Sequence, residues 1–139
     1  MKPYMWALLS TIIWGCAPIL EKMGLAKVAV WPGLFYRCVG VMLGFALIVM
    51  FRFHEVKSAW QEPPSGWYYL IAGGFLASII GQIFFYNALK GGEASRMIPL
   101  AATYPLVSFV LGIFLLKETI TLAKVGGVVL VMAGVMLLK

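Results

Sequence analysis

The chain has no aspartate, a single histidine, two cysteines and little charge of any kind: only 12% of its 139 residues are Asp, Glu, Lys or Arg. Each shortage excludes something. With His54 alone in a polar stretch there is neither a nucleophile–base pair nor a second metal ligand, so no enzyme chemistry, metal site or cofactor is expected. Cys16 and Cys38 fall in or beside apolar runs without CxxC or Cys/His spacing, which leaves packing as their role. Soluble domains carry about 25% charged residues, and this chain, 63% hydrophobic with mean hydropathy +0.96, is an integral membrane protein instead. Its net charge of +6 comes from basic residues scattered at the ends of apolar runs. They read as headgroup anchors, and no nucleic-acid partner is expected.

What the sequence does have is long apolar runs, at 3–20, 31–51, 67–89, 97–116 and 121–138. An α-helix needs about 20 apolar residues to cross a bilayer. The runs therefore predict an all-α integral membrane protein, one domain over 1–139 with five transmembrane helices. The start, Lys2 followed by an apolar run, has the first two parts of a signal peptide, but it continues through Pro18 without a small-x-small cleavage pattern. It is read as the first helix.

Helical spacing sorts the faces of these spans. In the fourth, Ala101, Tyr104, Pro105, Ser108 and Gly112 share an arc of about 100°, and Val107, Val110, Ile113 and Phe114 lie opposite. Small and hydroxyl-bearing residues favour helix contact or a wet cavity, so the first face turns to protein and the second to lipid. Pro105 removes a backbone donor in mid-span. Ser10, Thr11, Trp14, Gly15 and Pro18 share a face of the first span; it is either a helix contact or a cavity wall. In the third, Gly74, Ser78, Gln82 and Tyr86 stack at i+4, and the Gln82 amide needs a partner in hydrocarbon. Gly40 and Gly44 form a GxxxG pair, and Gly81, Gly112, Gly127 and Gly134 mark further packing faces. Arg37 interrupts the second span. It must snorkel to the surface or face a wet interior, and snorkelling is the cheaper solution. The stretch 52–65, with His54, Glu55, Lys57, Glu62 and Pro63–Pro64, reads as a solvated loop, and Trp60, Trp67, Tyr68 and Tyr69 as an interfacial belt.

Tyr86, Ala88, Leu89, Gly91, Ala94, Pro99, Leu100, Pro105 and Glu118, followed by a helix with Gly126 and Gly127, resemble the second half of an EamA-type domain. Trp14–Gly15, Pro18, Lys22 and Arg37 resemble its beginning. That domain is the repeat unit of the drug/metabolite transporter superfamily, and the likeness covers nearly the whole chain. It implies a fold of five membrane helices and a transporter of small solutes, without naming the solute. Larger members carry two such repeats in opposite orientation, so the resemblance also implies that a second copy comes from another polypeptide, either this protein again or a paralogous subunit.

Polarity at mid-depth favours transport over the alternative, an accessory or scaffold subunit that only packs against a larger membrane protein. The solute cavity is expected from three pairs: Ser10 with Trp14, Gln82 with Tyr86, and Tyr104 with Ser108. An odd number of spans puts the termini on opposite sides. Lys2, Arg52, Lys57, Lys117 and Lys124 then lie on the N-terminal side and Lys22, Lys27, Arg37, Lys90, Arg96 and Lys139 on the other. So even a split gives the positive-inside rule almost nothing to act on. Insertion in both orientations, and an antiparallel homodimer in the cytoplasmic (inner) membrane, is the expectation. The five acids, Glu21, Glu55, Glu62, Glu93 and Glu118, lie in links or at span ends. Small multidrug antiporters, which the chain resembles in size, place a Glu inside their first helix, and 8–15 has none here. Coupling to a proton on a mid-membrane carboxylate is therefore not expected. Glu21, Arg37 and Glu118 are the nearest coupling candidates.

Overall fold

A computed structural model of the chain describes residues 3–61 and 65–137; Met1, Lys2, Glu62, Pro63, Pro64, Leu138 and Lys139 lie outside the described residues. Every element among the described residues is helical: α1 (Pro3–Leu25), α2 (Val30–Phe51), α3 (Phe53–Gln61), α4 (Trp67–Phe75), a π-helical turn (Leu76–Ile80), α5 (Gly81–Gly91), α6 (Ala94–Ala101), α7 (Tyr104–Leu116) and α8 (Leu122–Met136). Among the described residues four stretches are long and apolar enough to cross a membrane: α1, α2, Trp67–Gly91 and Ala94–Leu116. The last apolar helix, α8, has 15 residues. At about 1.5 Å per residue it is shorter than the hydrocarbon core of about 30 Å.

The chain falls into two compact units, Ile19–Lys90 and Met1–Pro18 with Gly91–Lys139. In the first, the end of α1, the start of α2 and the end of α5 meet around the buried side chains Leu25, Leu34, Tyr86 and Leu89. Close approach is possible because Gly33 has no side chain. A Cβ there would stand 2.9 Å from Leu25 Cδ2 and 3.5 Å from Tyr86 Cε2. The carbonyls at the ends of α1 and α5 have no partners within their own helices, and each end is capped by a lysine of the other. Lys22 Nζ donates to the Leu89 carbonyl, and Lys90 Nζ donates to those of Leu25 and Val28 at 2.5 and 2.7 Å. The two helices thus end side by side at one membrane face. Elsewhere large apolar side chains such as Leu43, Phe45, Leu70 and Phe84 are exposed, as expected where lipid and not water is the surrounding solvent.

Two sequence expectations change here. Helix α1 does not stop at Leu20. Glu, Lys and Met are good helix formers, so the helix runs on through Glu21 and Lys22 to Leu25, and Glu21 is a helical residue. The stretch after α2 is not a plain loop: only Arg52 leaves the helical conformation before α3 begins.

In the second unit, the span Ala94–Leu116 is interrupted at Ala102–Thr103, just before Pro105, whose missing N–H leaves the Ala101 carbonyl without its helical donor. Thr103 stabilises the turn through its hydroxyl, which donates to the Leu100 carbonyl at 2.7 Å. Helix α7 ends where Lys117 takes a left-handed conformation, φ 54°, and the Glu118 N–H donates to the buried Gly112 carbonyl at 3.2 Å. A Cβ on Gly112 would lie 3.6 Å from the Glu118 carboxyl carbon, an ordinary van der Waals contact, so the returning turn packs closely there without requiring a glycine. The hairpin closes with Thr121, whose side chain accepts from the Lys124 N–H and caps α8.

Candidate functional site

The polar stripe of the third span, Ser78, Gln82 and Tyr86, faces α1 and α2 and meets two charged residues there. Arg37 Nε donates to Glu21 Oε1 at 3.3 Å, and Gln82 Nε2 donates to both Glu21 oxygens at 3.2 Å. Arg37 Nη1 donates to the Ser78 carbonyl at 3.1 Å. That carbonyl belongs to the π-helical turn Leu76–Ile80, whose widened ladder places backbone acceptors differently from an α-helix. The Tyr86 ring is buried and its hydroxyl adjoins Glu21 and Gln82.

Arg37 and Glu21 side chains are only 24% and 20% exposed. Counting about 1.5 Å per residue from the nearest ends of α1, α2 and the span Trp67–Gly91, Glu21, Arg37 and Gln82 stand roughly 6 to 14 Å inside their spans. The arginine therefore does not snorkel. The Glu21 carboxylate and the Ser78 carbonyl give its cation partners at depth, while the Gln82 amide holds the carboxylate from its other side, and this compensates what desolvation would otherwise cost. Among the described residues no buried side-chain nitrogen or oxygen is left without a hydrogen bond. Such an assembly can hold a charge pair in the bilayer, present both signs to a solute, and exchange hydrogen bonds with it.

Of the other sequence-predicted residues, Ser10, Trp14, Tyr104, Ser108, Gly112, Glu118, Gly127 and Gly134 belong to the second unit and Gly40, Gly44 and Gly81 to the first. The Ser10 and Thr11 hydroxyls donate to the Ala7 carbonyl of their own helix at 2.8 and 2.9 Å, and Trp14, Tyr104 and Ser108 are exposed. Glu118 pairs with Lys124 at 3.4 Å. An open, apolar groove of ≈ 540 Å³ runs past Met97, Leu100, Leu106 and Met132, with Arg96 at its edge. Nothing lies within 4 Å of a Cβ built on Gly40, Gly44, Gly127 or Gly134, whereas one on Gly81 would meet the Leu76 carbonyl at 3.2 Å across the π turn. Sequence reasoning missed Gly33 and the reciprocal lysine caps. Gly33 follows Pro32 at the start of the second span and carries no GxxxG signal, and the caps join residues 62 to 67 positions apart.

Among known proteins, the sequence model described as the EamA-like transporter family matches residues 1–139. An uncharacterized protein of Methanocaldococcus jannaschii is 30% identical over 132 residues, covering 95% of this chain and 92% of the relative. A protein of Sinorhizobium sp. described as an uncharacterized transporter in the cobO 3'region is 28% identical over 137 residues, covering 96% and 93%. An uncharacterized protein of Pseudomonas aeruginosa is 31% identical over 133 residues, covering 91% of this chain but 44% of the relative. No solved structure matches.

Proposed function

The chain belongs to the EamA-like transporter family, a multi-pass membrane family, and from that premise we propose that it moves a small solute across the cytoplasmic (inner) membrane as one half of an antiparallel pair working by alternating access. The observation that carries this reading is the cluster of Glu21, Arg37, Gln82 and Tyr86 within the spans. A buried ion pair adds little net stability compared with apolar residues of the same volume, so a helix bundle that only packs has no need of one. Charged groups inside membrane helices mark solute and ion pathways.

The lengths of the relatives support the pairing: those of Methanocaldococcus and Sinorhizobium are covered to 92 and 93% of their length by one unit, whereas the Pseudomonas relative, covered to 44%, is long enough for a second. A second copy inserted in the opposite orientation supplies the inverted repeat that alternating access uses. Within the second unit, Ser10, Trp14, Tyr104 and Ser108 are the candidate solute contacts, and no step of catalysis is involved. The even split of basic residues supports insertion both ways. An accessory role would leave the cluster without a task.

The test is flux in liposomes carrying the purified protein, screened with labelled amino acids, nucleosides, sugars and organic amines. Flux of at least one solute, lost in Gln82→Ala and Glu21→Gln proteins that still insert and pair, supports the proposal. Unchanged flux in both, or none from any solute class, overturns it.

A further inference from the structure

Helix α3 is nine residues long and sharply two-sided. At 100° per residue, Phe53, Val56 and Trp60 fall within about 60° of one another with Ala59 beside them, and His54, Glu55, Ser58 and Gln61 occupy the opposite side. The charged side is internally satisfied: Arg52 Nη1 donates to Glu55 Oε1 at 2.7 Å, and the Ser58 hydroxyl donates to the Glu55 carbonyl at 2.8 Å. The apolar side is left open at its two aromatic residues, with Val56 between them half-buried. Phe53 is 62% exposed and Trp60 88%.

Position says what covers it. Helix α2, a membrane span, ends at Phe51, one residue before α3, and the next span starts at Trp67, five residues after Gln61. Both ends of α3 are thus tied to the same face of the bilayer, and a nine-residue helix, about 14 Å long, has no slack to leave it. The next span opens with Trp67, Tyr68 and Tyr69, neighbouring rings 6.0 Å apart edge-to-face and 4.3 Å apart at a tilt, the residue types that settle at the headgroup level. We infer that α3 lies in the membrane interface, its Phe53–Val56–Trp60 side seated among lipid headgroups and upper acyl chains and its charged side in water. Low overall hydrophobicity with one apolar side is the pattern of helices that lie on a membrane and do not cross it. Lys57, at the boundary between the two sides, extends its ammonium to the phosphates. The link between the second and third spans is therefore a surface anchor, fixing the depth of both helix ends.

The full chain, with Cys16→Ala and Cys38→Ala, is labelled with an environment-sensitive fluorophore at Val56→Cys, Ser58→Cys or Trp60→Cys and reconstituted in phosphatidylcholine–phosphatidylglycerol vesicles. Probes at 56 and 60 should emit further to the blue than at 58. Nitroxide-bearing lipids should quench them several-fold more, and aqueous iodide several-fold less. Equal iodide quenching at all three positions would mean the helix stands in water and would overturn the inference. So would probes at 56 and 60 shielded from iodide and lipid alike, which would mean that protein, a second copy included, covers this side. Should Trp60→Cys fail to insert, Ala59→Cys reads the same side.

Discussion

Replacing Glu21 by glutamine keeps its shape and its hydrogen bond to Gln82 but leaves the Arg37 cation, 24% exposed, with only the Ser78 carbonyl as a strong partner. Removing one member of a fully buried pair costs about 3–5 kcal/mol. With a fifth to a quarter of each side chain exposed, solvent screening reduces this, and about 2 kcal/mol is expected. At about 1.4 kcal/mol per tenfold, that is a roughly 30-fold shift in the folding equilibrium. The assay is reversible unfolding in mixed micelles with increasing sodium dodecyl sulfate, run as a double-mutant cycle with Arg37→Leu. Each single variant should lose stability. The double variant should recover most of the loss, because neither charge then stands alone, giving a coupling of about 1–2 kcal/mol. Effects that add within about 0.5 kcal/mol would refute the pairing and return Arg37 to the surface.

Gly33→Ala should destabilise by about 1–3 kcal/mol in the same titration, because its Cβ meets the enclosed Leu25 at 2.9 Å and the packed site must shift. Gly40→Ala, with open space around it, should be neutral or up to about 1 kcal/mol stabilising through helix propensity; the reverse order would refute the packing described for α2. Glu55 lies outside the spans, and a bond to its own backbone holds its carboxyl below the usual carboxylate range, desolvation opposing and Arg52 adding to the effect. Since the folded group is the stronger acid, its contribution is present above the unfolded pKa and lost as pH falls through the folded value. A spin label at Ser58→Cys should keep its mobility around neutral pH and loosen only on acidification below the carboxylate range. Loosening on the alkaline side would contradict the sign. Reporter fusions at the C-terminus should report both orientations of the chain, and in a uniformly oriented sample an impermeant reagent should label only one of Lys2→Cys and Lys139→Cys. A single fixed orientation would replace the homodimer with a paralogous partner.

Composition and period alone determined that this is an all-α membrane protein, because a bilayer admits only elements that satisfy their own backbone, and runs of about 20 apolar residues have no other home. They also set the stripe of Ser78, Gln82 and Tyr86, since i+4 spacing is a local property of one helix. The amphipathic period of α3 was equally present in the sequence. It was hidden by the charges and prolines around it, which read as loop. What the stripe faces was decided only in three dimensions. Glu21 reaches Gln82 across 61 positions and Arg37 reaches Ser78 across 41, and no local rule links residues so far apart. The same holds for Arg37 itself. From sequence, snorkelling was the cheaper fate for a lone cation. The fold removed that condition by bringing a carboxylate, a π-turn carbonyl and an amide to one place, so the energy of the arginine is a property of its neighbours and not of its position in the chain.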